Sequence, residues 1–398
     1  MKCRFTLFFV SFITATVASA ANPAGPIHWE MAENVQRGVK LVRIKTTSTK
    51  LAEMRAKNPA RYGRVVKDPA AKTGKQDKKN DKPAPPEPER LIKAYVMRID
   101  LKTPGLRFFS TDRDEEHYGE TIPDYVPKKN FPDKLTVRTR REATPAFLER
   151  SRKPVEEGGL GLNAIVAFNT APWLPWPPPK NNVFADPMGL QIVNGREICD
   201  NVALPNMYLN AIFAVYKNGQ VEIGETVPKA RRKDVLVAHS GFGLLMRNGK
   251  RLFFHPKSYE GAIMPRMSVG LSRDKRYMFV VAIDGREKDW SDGAVGDEIC
   301  DLMIDAGAWD AINFDGGGSA TLCYWNETEK KTVIVNHDTK RPVGINLGLC
   351  IVKPQQGGVG SPSQPVCGSS NQRPRRLPNG TMASKKPDAS TDGASSPE

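Results

Sequence analysis

The chain has 398 residues, 39% of them hydrophobic, and a formal charge of +15. That is enough apolar material for one large core or two ordinary ones, and a charge that favours anionic partners: phosphorylated or acidic glycans, anionic membrane surfaces or nucleic acid. Beyond residue 20 no stretch is a membrane-span candidate, no zinc-finger or RNP pattern accompanies the charge, and no CxxC pair exists, so a membrane channel, a nucleic-acid binder of known motif and a structural zinc site are all set aside.

Residues 1–20, "MKCRFTLFFVSFITATVASA", place Lys2 and Arg4 before a short apolar run and close on Ala18-Ser19-Ala20, the pattern of a secretory signal with a small-residue cleavage site. The expected mature chain is exported, to the periplasm or beyond the cell, with a charge of +13 and five of the six cysteines: Cys199, Cys300, Cys323, Cys350 and Cys367. An odd count in an oxidising compartment leaves at least one free or intermolecularly paired thiol. Cys300 lies in an apolar helix pattern and Cys350 in an apolar strand, so both read as core residues or disulfide partners rather than nucleophiles.

Two strand-like runs follow, "GVKLVRIKTTS" and "RLIKAYVMRIDL", separated by residues 66–90, which are rich in Lys, Asp and Pro with little to bury. That composition predicts a disordered surface insertion within one domain. The densest basic cluster, "VRTRREATPAFLERSRK" (137–153), reads as a solvated helix face in preference to a nucleic-acid patch. His239 and Ser240 are adjacent in "VAHSGFG", but the nucleophile elbow Gly-x-Ser-x-Gly is missing, which argues against a serine hydrolase. The remaining histidines show no ligand spacing. From residue 353 to 398 the composition is that of a disordered tail, leaving one folded domain within 21–352.

The most informative stretch runs from 277 to 321. "YMFVVAIDGR" (277–286) is nearly all apolar, the pattern of a strand buried on both faces, and ends in Asp284-Gly285-Arg286. "DEICDLMIDAGAW" then sets Ile299, Leu302, Met303 and Ala306 on one helical face, with Gly307 to close the helix. "AINF" (311–314) reads as a second buried strand and ends in Asp315-Gly316-Gly317-Gly318. Strand, helix and strand in this order predict a parallel βαβ unit in a central mixed sheet with helices packed on it, an α/β (mixed α+β) domain. Its two strands would end at one sheet edge, bringing Asp284, Arg286 and Asp315 together beside the helix start near Ser291 and Asp292, where unpaired N–H groups suit an anion. Three glycines in a row lose much backbone entropy on ordering, which points to positive φ or close approach of a ligand. Asp-Gly pairs also cap turns, a role that would suffice for either aspartate alone but explains their convergence poorly. The glycine run lacks the Lys of a Walker loop.

These residues resemble the phosphodiester glycosidase family. The matching pattern is Arg266 before Gly270, then Asp284-Gly285-Arg286, Glu298 on the helix, and Asn313-Phe314-Asp315-Gly316-Gly317-Gly318-Ser319. Upstream, "LNAIVAFNTAPW" resembles the family's strand ending in Asn, here Asn169, and "MGLQIVNGREI" and "SGFGLLMRNGKRL" resemble its Gly-rich strands; downstream, "HDTKRPVGINLGLCIV" with Arg341-Pro342-Val343 resembles its last strand. The chain departs from the family after Asn169, where "TAPWLPWPPP" stands, and Trp173 and Trp176 there suit either stacking on a sugar face or packing of a polyproline segment.

The resemblance implies an exported hydrolase that cleaves an N-acetylglucosamine-like sugar from a glycosyl-1-phosphodiester in envelope or extracellular glycan metabolism. The alternative on the same scaffold is a non-catalytic glycan-binding or exopolysaccharide-assembly protein. A phosphate monoester, with a pKa of about 6, leaves without full protonation, so an oxocarbenium-like transition state needs a carboxylate at the anomeric carbon and cations on the phosphate. Asp315 is the expected nucleophile or base, with Glu298 or Asp284 second and Arg266 and Arg286 as phosphate clamps. Asn169, Asn313, Gly316, Gly317, Gly318, Ser319 and Thr321 complete the expected substrate contacts. Hard cations favour carboxylates, but nothing in the spacing of Asp284 and Asp315 demands one, and neither metal nor cofactor is expected.

Overall fold

The strand Leu91–Asp100 shows how this sequence builds its layers. Successive side chains of a strand point to opposite faces. Tyr95, Met97 and Ile99 accordingly enter one apolar cluster, while Ile92, Ala94 and Val96 enter another on the far side. The strand Tyr277–Ile283 does the same, with Met278, Val280 and Ala282 on the first face and Phe279, Val281 and Ile283 on the second. A computed structural model describes residues 26–63, 65, 66, 88–201, 209, 211–252, 254, 258–337 and 341–352. The expected signal sequence, most of the expected insertion, and the tail with Cys367 lie outside them.

Both strands belong to a nine-stranded sheet whose order runs Glu33–Gln36, Val39–Thr47, Leu91–Asp100, Tyr277–Ile283, Arg266–Leu271, Asp310–Asn313, Gly243–Arg247, Lys250–Leu252, Val65–Val66. A second sheet of five strands contains Ala211–Tyr216 and Val235–Gly241, and a third contains Leu106–Ser110, Ala164–Asn169, Leu322–Asn326 and Asn346–Ile351. The main core lies where the three meet, with Met97 and Val280 from the first, Phe213 from the second and Phe168 and Leu347 from the third. Each such fully buried aliphatic or aromatic side chain contributes about 1.5–3 kcal/mol.

The outer face of the large sheet is covered by the helix Gly296–Ala306, which buries Ile299, Cys300, Leu302, Met303 and Ala306. Gly307 ends it in the left-handed conformation, φ 97°, where a β-carbon would be strained. No helix among the described residues is long and apolar enough to cross a membrane.

The parallel βαβ unit is absent. Tyr277–Ile283 and Asp310–Asn313 do run in the same direction, but Arg266–Leu271 lies between them and pairs antiparallel with each. Among the described residues every pairing is antiparallel except the short contact of Lys250–Leu252 with Val65–Val66. The apolar runs report burial on two sides, which a helix on one face and further sheets on the other achieve as well as a parallel sheet does. Nothing in them reveals that an earlier strand is inserted between.

Several smaller expectations meet particular contacts. Val66 forms part of a strand and Arg90 an ion pair, so both ends of the expected insertion are ordered. The basic cluster is largely matched: Arg140 pairs with Asp114 at 2.6 Å, Arg150 with Glu142 at 2.8 Å and Arg152 with Glu327 at 3.2 Å, while Phe147 and Leu148 of its helix are buried. Cys199, Cys300, Cys323 and Cys350 are all buried, and enclosure pushes the Cys300 and Cys323 thiols far up, away from nucleophilic use.

Candidate active site

The antiparallel insertion preserves the geometry that matters. Ile283 faces Arg266 and Asn313 faces Ser268 on the shared middle strand, so Asp284 and Asp315 leave the sheet at the same edge. Beyond that edge the two diverge.

The Asp315 loop is tied down by its backbone. Phe314 N–H donates to Met267 O, Asp315 N–H to Thr170 O and Gly317 N–H to Pro265 O, each at 2.9 Å. Asn169 spans the loop, its Nδ2 donating to Asp315 O at 2.7 Å and its Oδ1 accepting Thr321 N–H at 2.9 Å. Two of the glycines are required: a β-carbon on Gly316 would lie 2.4 Å from Pro265 O, and Gly317 has φ +58°, whereas one on Gly318 would meet only the movable guanidinium of Arg341, 2.4 Å from its Cζ.

This loop forms the floor of a cavity of about 200 Å³ whose wall includes Asp315, Gly316, Gly317, Gly318, Ser319, Arg286, Arg341 and Tyr259, with Trp173, Trp176 and Phe242 around them. Asp315 is open to the cavity but deep in the fold, and loss of water pushes its carboxyl up to about 7 against the opposing pull of the Ser319 hydroxyl and the Arg341 charge. Arg286 and Arg341 form no ion pair with a carboxylate among the described residues; Arg341 instead lies over the Trp176 ring, 4.4 Å from its centre. Tyr259 stacks on Phe242 at 3.8 Å, and its oxygen accepts Gly316 N–H at 2.9 Å. Its own proton has no acceptor among the described residues, and burial with the nearby Asp315 holds the phenol far above its usual range.

Three residues expected in the chemistry stand outside this wall. Asp284 is 3% exposed, and its carboxylate accepts from Tyr95 Oη at 2.9 Å, Trp290 Nε1 at 2.9 Å and His337 N at 2.7 Å. Glu298 accepts from Arg90 at 2.6 and 3.1 Å and reaches back to Val295 N–H at 2.9 Å, closing the first turn of its own helix. Arg266 is fully buried and donates to the carbonyls of Ala294 at 2.9 Å and Tyr259 at 2.8 Å, and to those of Glu260 and Ala262, with its guanidinium under the Tyr259 ring. Asn313 and Thr321 are likewise buried; Asn313 accepts from Ser268 Oγ at 3.4 Å beneath the loop. Arg341 and Tyr259 are the wall residues that sequence reasoning passed over. Arg341 was read only as part of the segment that resembles the family's last strand, without a site role, and Tyr259 sits in a loop with no motif of its own.

Residues 163–350 match the family profile described as phosphodiester glycosidase. That segment is similar to the phosphodiester glycosidase family. No curated protein sequence matches the chain significantly. Among solved structures it is similar to the zebrafish N-acetylglucosamine-1-phosphodiester alpha-N-acetylglucosaminidase catalytic domain auto-inhibited by its pro-peptide, with 14% identity and a TM-score of 0.44 over 81% of this chain and 86% of that one. A hypothetical protein from Synechocystis is similar with 12% identity and a TM-score of 0.40, over 66% of this chain and 60% of that one. The matched segment contains the whole 266–321 block together with Asn169 and Asn346.

Proposed function

We propose that the protein is an exported hydrolase that releases a sugar, N-acetylglucosamine or a close analogue, from a glycosyl-1-phosphodiester of envelope or extracellular glycan. The observation that carries this reading is one cavity holding a deep carboxyl, Asp315, beside two arginines, Arg286 and Arg341, that form no ion pair among the described residues. A lone carboxylate suffices for such a substrate, because the leaving phosphate needs stabilisation of charge more than a proton. Arg286 and Arg341 hold the departing phosphate, Asp315 attacks the anomeric carbon or activates the water that does, and Tyr259 offers its uncommitted proton to the developing charge. Asn169 and the glycines fix Asp315 in place. Asp284, Glu298 and Arg266 act one step back: they hold the Arg286 loop, the helix start and the Tyr259 loop respectively.

The test is turnover of a synthetic N-acetylglucosamine-1-phosphate methyl ester by the purified chain. Release of free N-acetylglucosamine with methyl phosphate supports the reading; no release, by a folded protein across pH 5–9, refutes it.

A further inference from the structure

His239 has no exposure to solvent and takes no part in the cavity wall, yet both ring nitrogens are engaged: Nε2 lies 3.0 Å from Ser110 Oγ and Nδ1 lies 2.9 Å from Thr170 Oγ1. The neighbours decide which nitrogen carries the proton. Ser110 Oγ donates its single hydrogen to Asn346 O at 3.1 Å, and a carbonyl cannot return one. Toward the imidazole Ser110 is therefore an acceptor, and Nε2 must carry the N–H. A neutral ring then presents a lone pair at Nδ1, which Thr170 fills with its hydroxyl hydrogen. The result is a one-way chain from Thr170 O–H to Nδ1, from Nε2–H to Ser110 Oγ, and from Ser110 O–H to Asn346 O, in which every donor meets one acceptor. A second proton on the ring would turn Nδ1 into a donor and leave the Thr170 hydrogen buried without a partner, a cost set by desolvation.

The chain ends at the reaction centre. Thr170 takes Asp315 N–H on its own carbonyl at 2.9 Å and gives its N–H to Ile345 O at 3.1 Å. His239 belongs to the Val235–Gly241 strand of the second sheet, whereas Ser110 and Asn346 belong to strands of the third and Thr170 directly follows another. We propose that His239, as the neutral Nε2–H tautomer, is a positioning residue that bolts these two sheets together through Thr170 and so fixes the backbone of Asp315. The inference rests on the role proposed above for Asp315, but its tautomer and its mechanical coupling are read without turnover.

The experiment uses the full chain at pH 7. Long-range 1H–15N spectra should show His239 protonated at Nε2 alone, and a ring protonated at Nδ1, or at both nitrogens, overturns the proposal. Thr170→Val removes the hydroxyl at constant shape and should shift the Asp315 amide resonance and lower kcat about tenfold with KM within twofold, while Thr170→Ser should restore both. Ser110→Ala, which orphans Nε2–H at the other end of the chain, should move the Asp315 amide in the same sense, and supplies the test should Thr170→Val fail to fold. An Asp315 amide that stays put in both substituted proteins overturns the proposal even where turnover is intact. A wild-type protein with no turnover at all would refute the proposed function while leaving the tautomer and the amide shift to decide this one.

Discussion

Asp284 and Asp315 start alike, each at the end of a strand, each followed by glycine, both at one edge of the large sheet, and finish in opposite surroundings. Asp284 is met by three donors from three separate segments, Tyr95, Trp290 and the backbone of His337, and nothing of it lines the cavity. Asp315 has one hydroxyl, Ser319, the backbone of Gly316, a more distant arginine and an opening. The first is a fastening in which the charge is saturated. The second is a charge held ready. A motif of two residues cannot distinguish these cases, because the distinction is made by what the rest of the chain brings to the carboxylate.

The sharpest way to break that contrast is to remove each charge with little change of shape. Asp315→Asn should lower kcat at least about a hundredfold, close to 2.7 kcal/mol of barrier at 1.36 kcal/mol per tenfold, in a protein that still folds. The wild-type kcat should rise with pH through an acid limb near 7, the value to which burial pushes this carboxyl. Stability should follow the linkage. Between about 4 and 7 the folded state holds a proton that the unfolded state has lost, so the Asp315 contribution falls as pH rises through that window. The Asn variant should therefore melt higher than wild type at pH 8 and lose that advantage by pH 4, which differential scanning calorimetry would read. An unchanged kcat in the Asn variant would end the assignment.

Arg341→Lys comes next in size. Lysine keeps a charge but loses the planar fork and the stacking on Trp176, so KM for the phosphodiester should rise about tenfold with kcat within threefold. Arg286→Lys should behave alike. Steady-state kinetics on the methyl phosphodiester would separate them from Asp315→Asn, whose loss lies in kcat; a fall in kcat with KM unchanged would instead place the arginines at the reaction centre.

Asp284→Asn should reverse the balance between turnover and stability. An amide presents hydrogens toward at least one of the three donors, which costs about 1–3 kcal/mol and lowers the melting temperature by roughly 3–8 °C. Turnover should drop only a few-fold, through loosening of the loop that carries Arg286. A hundredfold loss of kcat at unchanged melting temperature would show that Asp284 works in the chemistry after all.

The sequence made some of this legible and concealed the rest for definite reasons. Gly316 to Gly318 announced a site because glycine runs are costly to order, and the structure shows each one meeting a backbone, a guanidinium or a positive φ. The direction of the two strands was also readable, since the helix Gly296–Ala306 must return the chain across the sheet. The intervening Arg266–Leu271 strand was not, because a period-two pattern records burial and not the neighbour that causes it. Arg266 and Arg341 were indistinguishable as arginines in a line of letters. The first turned inward to four carbonyls and the second toward the cavity, a choice settled by loops at 259–262 and around Trp176 that carry no periodic signal.

Glu298 gives the smallest expected effect on turnover and the cleanest check on how position decides role. As the third residue of its helix it was suited equally to catalysis at the sheet edge and to capping, and both of its oxygens are taken, Oε1 by Arg90 and Oε2 by Arg90 and Val295 N–H together. Glu298→Gln keeps the shape and an acceptor for Val295 but leaves Arg90, itself only 11% exposed, without its counter-charge. Loss of one partner from a mostly buried pair costs several kcal/mol in the general case, and about 2–4 kcal/mol is expected here because Arg90 keeps a bond to Gly293 O. The melting temperature should fall accordingly while kcat stays within about twofold at a temperature where the variant is folded. Should kcat instead collapse with melting unchanged, Glu298 would be the second carboxylate of the reaction, and Asp315 would no longer stand alone in the cavity.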